Sequence, residues 1–283
     1  MRGKTVVITG ATSGIGEVAA LQLAARGARI VMVARDAARA AITLARLRNA
    51  GPGDHAAHIA DLSQLAEMKR VGAAIAVNEA RVDVLLNNAG AVFMGRNRTV
   101  DGLAPSFALN HLACFVLTLS LLPVLQRTPG ARVVCTSSRA HRYGRMRFDD
   151  LQRDGIGGYA DSKLANLLFM RRLAQLLEPG GVTVNALHPG FVATRFADNT
   201  GVLWRTLMRW RKRRYGLTPE AGAGTLVYLA ESAGVAGLSG GYYVDCRLAL
   251  PSVAAQSDAD AQRLWTISVQ LTGLDVTPAT RRA

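Results

Sequence analysis

The chain has 283 residues, enough for one large α/β domain or two small ones, and its hydrophobic fraction of 49% excludes a disordered chain. Aromatic residues make up only 6%, and Ala, Val and Leu dominate, which is typical of parallel strands covered by helices on both faces. The net charge of +14 indicates attraction to polyanions, anionic lipid or phosphorylated small molecules, although an arginine-rich surface explains it equally well.

Short β-branched runs alternate with longer stretches of helical periodicity, which is the pattern of successive βαβ units. Strands are predicted over Thr5–Thr9, Arg29–Val33, His55–Ala60, Val82–Leu86, Arg132–Thr136, Thr183–Leu187 and Tyr242–Val244. Helices are predicted over Ile15–Arg26, Ala37–Asn49, Leu65–Asn78, Leu103–Leu125 and Tyr159–Leu177. The sequence has no linker-like stretch and no internal repeat, so we predict one doubly wound α/β domain over residues 1–283, with a seven-stranded parallel sheet and helices on both faces.

A glycine-rich turn, TGATSGIG, follows the first strand. Gly10, Gly14 and Gly16 allow a tight turn and close backbone approach, so that a pyrophosphate can lie against the amides at the start of the next helix. The spacing G-x-x-x-G-x-G differs from the G-x-G-x-x-G of the general dinucleotide fingerprint. A purely structural turn is the alternative.

The second strand ends in IVMVARD, where NAD-binding turns commonly carry an acid for the ribose 2′-hydroxyl. Ala34 stands at that position, and Arg35 follows it. Because a guanidinium accommodates the 2′-phosphate of NADP, we predict that NADP(H) is the preferred cofactor, with NAD(H) as the alternative. Asp36 is predicted to be the N-cap of the next helix.

Polar and small residues also follow the third and fourth strands. In ADLS, Asp61 is a candidate acceptor for an adenine amino group, and Ser63 is a candidate helix cap. The fourth strand is followed by Asn87, Asn88, Ala89 and Gly90. Packing explains such a group poorly, and a cofactor backbone would pass at this edge of the sheet.

A tyrosine and a lysine stand four residues apart in YADSK, at the start of a predicted helix. Tyr159 and Lys163 therefore lie on one helical face. A positive charge beside a phenol favours the phenolate and lowers the pKa of the tyrosine from its ordinary value of about 10. The pair is a candidate for proton transfer, and chance alignment is the alternative.

Taken together, these motifs resemble those of the classical short-chain dehydrogenases/reductases. TGATSGIG, NNAG, TSS, YADSK and HPG occur in the order of that family, and the resemblance covers almost the whole chain. SSRAHRYGRMRFDDL, YADSKLANLLF and DAQRLWTISVQLTG resemble its retinol-dehydrogenase-like branch. The resemblance implies a Rossmann-type fold and an oxidoreductase that interconverts a carbonyl and an alcohol on a hydrophobic small molecule by hydride transfer.

The functional positions of the family can be placed on this sequence. Ser138 resembles the serine that holds the substrate oxygen, with Ser137 as the alternative, and Asn110 resembles the asparagine that keeps a water beside the lysine. With Tyr159 as acid and base and Lys163 beside it, they form the predicted catalytic set. The implied cofactor contacts are Gly10, Thr12, Ser13, Gly14, Ile15, Gly16, Arg35, Asp61, Leu62, Asn88, Ala89, Gly90, Tyr159, Lys163, Pro189, Gly190, Val192 and Thr194.

The region after the sixth strand is predicted to cover the substrate, as a lid over residues 195–218. In GVLWRTLMRWRKRRYG the apolar residues Leu203, Trp204, Leu207 and Met208 share one helical side, with six Arg and Lys residues among them. A peripheral membrane contact through residues 201–215 is the rival prediction, and a plain surface helix is the third.

Other classes of site and partner find little support in the sequence. Cys114, Cys135 and Cys246 show no CxxC spacing and the histidines are dispersed, so we predict buried thiols and no metal site. His188 is predicted to be structural. No basic patch accompanies a nucleic-acid-reading motif, so no nucleic-acid partner is predicted.

Location and assembly are predicted from the apolar segments. MRGKTVVITG is not a signal-peptide pattern, and no apolar run reaches the roughly 18–20 residues of a membrane span, so we predict a cytoplasmic protein. The apolar faces of Leu112–Leu125 and Leu164–Leu177 could pair subunits into a homodimer or homotetramer.

A catalytically idle nucleotide-binding scaffold or sensor is the alternative function.

Overall fold

Among residues 1–177, 181–190 and 218–276, which a computed structural model of the protein describes, eight strands form one sheet. The strands are β1 Thr5–Thr9, β2 Arg29–Ala34, β3 Ala56–Ile59, β4 Val84–Asn87, β5 Arg132–Thr136, β6 Thr183–His188, β7 Tyr242–Val244 and β8 Arg247–Leu248. Their order is β3-β2-β1-β4-β5-β6-β7-β8. The first seven run parallel, as predicted, but β8 was not predicted and pairs antiparallel with β7.

Helices cover both faces of the sheet. They are α1 Gly14–Ala25, α2 Ala37–Ala50, α3 Leu65–Asn78, α4 Pro105–Gln126, α5 Gly155–Leu176, α6 Pro219–Glu231 and α7 Asp258–Thr272. Alternate residues of a strand point to opposite faces, so in β1 Val7 joins the core under α3, α4 and α5, whereas Val6 and Ile8 join the core under α1, α2 and α6. The predicted doubly wound α/β fold is confirmed.

The boundaries of the helices differ from the prediction in several places. α5 begins at Gly155 rather than Tyr159, so the candidate tyrosine lies inside the helix. α4 contains a π-helical turn at Ala108–Leu112. The prediction missed α6, although Thr218 caps it by accepting from the amide of Ala221 and a proline follows the cap, which is a recognisable start signal.

The long helix α4 corrects the expectation about membrane spans. Its 22 residues are long and apolar enough to cross a membrane by length and composition alone, so the statement that no segment reaches this length is wrong. However, 83% of its most apolar stretch is buried inside the fold. α4 is therefore a core helix of the fold.

The C-terminal helix α7 closes the outer side of α4 and α5. The indole of Trp265 stacks on Phe169 at 5.8 Å between ring centroids and meets Phe115 edge-on at 5.2 Å. The apolar residues of Leu112–Leu125 and Leu164–Leu177 are mostly buried within the chain. Assembly into a homodimer or homotetramer through these two faces stays a prediction.

Candidate active site

The predicted site residues that the structure describes lie at or near the carboxyl ends of the strands. The strand order reverses at β1, which has β2 on one side and β4 on the other. In an open parallel sheet, the crevice at such a reversal is where ligands bind. The turns after β1 and β4 therefore form the middle of the candidate site.

Hydrogen bonds join these two turns directly. The Thr9 hydroxyl accepts from the amides of Asn88 at 3.0 Å and Ala89 at 2.9 Å, and the Asn88 side chain donates to the Thr9 carbonyl at 3.1 Å. A Cβ on Gly16 would lie 2.3 Å from the Gly10 carbonyl oxygen and 2.4 Å from Asn88 Nδ2, so only glycine fits. The sequence analysis missed Thr9, whose place as the last residue of β1 was the available signal.

The first turn of α1 suits a phosphate group. Ser13 occupies the N-cap position but, within the described part of the chain, its side chain makes no capping hydrogen bond. Asn88, in the neighbouring turn after β4, donates to the Thr9 and Gly10 carbonyls, and its buried Oδ1 has no partner among the described residues. Helix N-terminal amides left without a capping side chain attract anions, so the residues present fit the diphosphate of a dinucleotide.

The turns after β2 and β3 agree with the prediction in part. Arg35 is exposed directly after β2, and Asp36 caps α2 by accepting from the Arg39 amide at 3.0 Å, as predicted. Ser63 is not a helix cap, because α3 begins one residue later with Gln64 at the cap position. Instead, the Ser63 hydroxyl donates to Asp61 Oδ1 at 2.8 Å and fixes that carboxylate in the turn. Leu62 is buried between them.

Asn110 lies in the π-helical turn of α4 and is 1% exposed. Its Oδ1 accepts from the amide of Ala91 at 2.8 Å, and its Nδ2 donates to the Ala91 carbonyl and to Ser162 Oγ, each at 3.0 Å. Ser162 Oγ in turn donates to the Tyr159 carbonyl at 2.7 Å. Asn110 thus ties the segment after β4 to α5, and π turns of this kind are frequent at functional sites. Ser162, inside YADSK, was missed by the sequence analysis.

Lys163 is buried at 3% exposure between α5 and the sheet. Its Nζ donates to the Thr136 carbonyl at 2.9 Å and lies 5.7 Å from the centroid of the Tyr159 ring. A Cβ on Gly90 would lie 3.1 Å both from this ammonium and from Asn110 Oδ1, so glycine keeps the approach to them open. Burial lowers the pKa of Lys163, because the charged form loses solvation.

Tyr159 and Ser138 meet at the end of β5. Burial raises the pKa of Tyr159, and its hydrogen bond with Ser138 opposes that rise. The expectation that Lys163 lowers this pKa is therefore not met, since desolvation has the larger effect. Ser137 is committed elsewhere, because its hydroxyl donates to the Lys163 carbonyl at 2.8 Å. Of the two serines, Ser138 is the one that contacts the tyrosine.

The end of β6 completes the described part of the site. His188 Nδ1 accepts from the Arg139 amide at 3.2 Å, and burial lowers the pKa of its ring to about 4, so it is neutral at pH 7. Pro189 and Gly190 follow it, and Gly190 has a left-handed φ of 81°. Val192, Thr194, the 201–215 segment and all but one residue of the predicted lid lie outside the described residues.

Comparison with known proteins gives concordant results at three levels. The family model described as short chain dehydrogenase matches residues 4–201. The chain is 38% identical to retinol dehydrogenase 14 of Mus musculus, over 97% of this chain and 87% of that protein. It is 40% identical to dehydrogenase/reductase SDR family member 13 of Homo sapiens, over 97% of this chain and 74% of that protein.

Solved structures give the same result. An uncharacterized protein from Mycobacterium paratuberculosis is 30% identical, with a TM-score of 0.78 over 98% of this chain and 96% of that one. The Pseudomonas aeruginosa RhlG/NADP active-site complex is 29% identical, with a TM-score of 0.69 over 86% of this chain and 94% of that one. A short chain dehydrogenase from Burkholderia cenocepacia in complex with NADP is 26% identical, with a TM-score of 0.68 over 85% and 95%.

Proposed function

We propose, from the premise that the chain belongs to the short-chain dehydrogenase family and to its retinol-dehydrogenase-like branch, a specific form of its chemistry. Membership makes it an NAD(P)-dependent oxidoreductase that interconverts carbonyls and alcohols. Our proposal is that it prefers NADP(H), acts on an apolar aldehyde, ketone or alcohol, and uses Tyr159 as its acid and base. The convergence of Ser138, Tyr159, Lys163 and Asn110 at the strand ends carries this proposal.

Proton transfer is assigned to Tyr159. When bound, the nicotinamide cofactor supplies or accepts the hydride. In the direction of reduction, the Tyr159 hydroxyl donates its proton to the carbonyl oxygen, and the Ser138 hydroxyl stabilises the negative charge that develops there. Burial raises the pKa of Tyr159 and so makes the phenol a weaker acid, whereas the positive charge of the nearby Lys163 ammonium favours the phenolate that proton donation leaves.

Lys163 and Asn110 serve the tyrosine and the cofactor. The Lys163 ammonium donates one hydrogen bond to the Thr136 carbonyl, and its other N–H groups can bind a ribose hydroxyl of the cofactor. Its positive charge lies 5.7 Å from the centroid of the Tyr159 ring. Both N–H donors of the Asn110 side chain are used by Ala91 and Ser162. Asn110 is therefore proposed as a positioning residue, and the water that the resemblance places beside it stays a prediction.

The preference for NADP(H) rests on the end of β2. Ala34 leaves no carboxylate for a ribose 2′-hydroxyl there, and the exposed Arg35 guanidinium follows directly. A guanidinium at this point accommodates a 2′-phosphate with paired charge-assisted hydrogen bonds. The NADP complexes of RhlG and of the Burkholderia cenocepacia dehydrogenase, two of the similar solved structures, support the same choice.

The apolar substrate class is supported by the names of the relatives, which include retinol dehydrogenases. We therefore propose retinal-like and medium-chain aldehydes, with the corresponding alcohols, as the first compounds to test. The lid over 195–218, a membrane contact through 201–215 and a cytoplasmic location stay predictions.

The test is NADPH and NADH consumption against retinal, aliphatic aldehydes and ketones. We expect turnover with NADPH, and loss of about 100-fold or more in kcat for Tyr159→Phe, as general acid–base groups contribute roughly 10²–10⁴-fold. Tyr143→Phe is the matched control, because Tyr143 lies near the same strand end but is 80% exposed. Tight NADPH binding without turnover of any compound would favour the idle scaffold instead.

A further inference from the structure

Two cysteines of the protein lie against each other behind the candidate active site. Cys114 on α4 and Cys135 on β5 are 4% and 1% exposed, and their Sγ atoms are 3.3 Å apart. Both are free thiols. Because the sulfurs of a disulfide are about 2.05 Å apart, a movement of roughly 1.3 Å would bond them.

Each thiol lies close to a group that the catalytic set depends on. Cys135 directly precedes Thr136, whose carbonyl accepts the hydrogen bond from Lys163 Nζ at 2.9 Å. Cys114 lies one helical turn after Asn110 on α4. Both sulfurs also lie near enough to Lys163 that a thiolate at either position would raise its pKa. A covalent bond between them would therefore draw α4, which carries Asn110, toward β5, whose Thr136 carbonyl accepts from Lys163.

We propose that Cys114 and Cys135 are a modification site that closes to a disulfide when the protein meets a peroxide and that closure reversibly inhibits the enzyme. In the balanced step, the two thiols lose two protons and two electrons and form one S–S bond. The O–O bond of hydrogen peroxide breaks, and the peroxide leaves as two molecules of water. A small-molecule dithiol reverses the reaction by thiol–disulfide exchange. The inhibitory part rests on the proposed function, whereas the disulfide itself does not.

Burial sets the conditions under which this site reacts. It raises the pKa of the Cys114 thiol well above its ordinary range, and thiolates are the reactive form. Because both cysteine side chains are buried, only small oxidants can reach them. The pair therefore stays reduced at a low peroxide concentration and reacts more slowly than an exposed thiol. Because the two sulfur atoms are neighbours, the product is a disulfide.

The first experiment detects the bond by mass. It starts from Cys246→Ala, which removes the third cysteine and leaves only the pair. The reduced protein is treated with hydrogen peroxide, quenched with catalase, denatured and alkylated with N-ethylmaleimide. We expect the protein to lose the mass of two hydrogen atoms and to take up no maleimide, whereas the reduced protein takes up two. We also expect a cross-linked peptide that contains Cys114 and Cys135. Dithiothreitol should restore both alkylation sites.

Matched variants decide the assignment. Adding Cys114→Ala or Cys135→Ala, each in the Cys246→Ala protein, must abolish the mass loss and leave one maleimide site. Full alkylation of both thiols after peroxide treatment, or sulfinic acid at either residue without a cross-link, overturns the proposal. The double variants also show whether each substitution folds, because their thermal midpoints are measured alongside.

The second experiment measures the consequence. We expect peroxide to lower NADPH turnover of Cys246→Ala at least tenfold, with recovery in dithiothreitol and no loss in the Cys114→Ala double variant. A quantitative cross-link with full turnover overturns the inhibitory role. If the protein turns over no substrate, the proposed function fails separately, and the same comparison is made by NADPH fluorescence titration, where cross-linking should weaken binding at least tenfold.

Discussion

Ser162 is predicted to support the catalytic set although it does no chemistry itself. Its hydroxyl accepts from Asn110 Nδ2 at 3.0 Å and donates to the Tyr159 carbonyl at 2.7 Å, and the side chain is 1% exposed. Ser162→Ala removes both bonds and leaves a buried amide N–H without a partner. At about 0.5–1.5 kcal/mol for each bond, we expect the free energy of unfolding to fall by about 1–3 kcal/mol in urea titrations.

The matched control is Ser106→Ala. Ser106 is 2% exposed and lies on α4 one turn before Asn110, but its hydroxyl has no hydrogen-bond partner among the described residues. Because the same substitution there removes no hydrogen bond, it should lower the free energy of unfolding by less than about 0.5 kcal/mol. NADPH turnover should fall about tenfold in Ser162→Ala and little in Ser106→Ala, since misplacing Asn110 and Tyr159 raises the barrier. Equal unfolding midpoints for the two variants would refute the network.

Three further predictions follow from other parts of the structure. Arg35→Ala should raise KM for NADPH at least tenfold and leave KM for NADH within about twofold; an equal rise for both cofactors would count against the 2′-phosphate contact. Asp83 is 4% exposed, and burial alone would raise its pKa, but hydrogen bonds from basic side chains and a backbone amide lower it overall. The ionised Asp83 therefore stabilises the fold at pH values above its unfolded pKa of about 3.9. This stabilisation is lost as the pH falls through the pKa of the folded state. Between pH 6 and pH 3 the free energy of unfolding should therefore fall less in Asp83→Asn than in the parent. Lys163→Met should raise the free energy of unfolding by about 0.5–2 kcal/mol while lowering kcat/KM at least 100-fold, and a variant that is both active and less stable would contradict the argument.

The sequence predicted the strands and the residues after them because their causes are local. Apolar β-branched runs form the buried parallel strands, and the small and polar residues after them have no packing role to explain them. The strand β8 was not predicted because its hairpin turn lacks the Asn-Gly or Asp-Gly pair that marks such turns. The turn is formed by Asp245 and Cys246 instead, with φ angles of 49° and 60°. The sequence contained no sign of the eighth strand.

Contacts between distant segments account for the other differences. The π-helical turn at Asn110 is held by Ala91, 19 residues earlier, and no periodicity within α4 reveals it. Spacing alone placed Tyr159 and Lys163 together, which the 5.7 Å separation confirms. The direction of the pKa shift of Tyr159 was wrong because desolvation depends on how the whole fold covers the ring.

The surroundings of Lys163 explain why the site needs a fold of this size around it. Burying an ammonium is costly unless it is paired, and within the described part of the chain no carboxylate forms a salt bridge with Lys163. Among the described residues, its ammonium donates to the neutral carbonyl of Thr136. The charge is therefore left to act on the Tyr159 side and on whatever lies beside Gly90, where it can favour developing negative charge during proton transfer. A carboxylate partner would stabilise the fold but neutralise this field, so the cost of burying Lys163 is carried by the cores above and below the sheet.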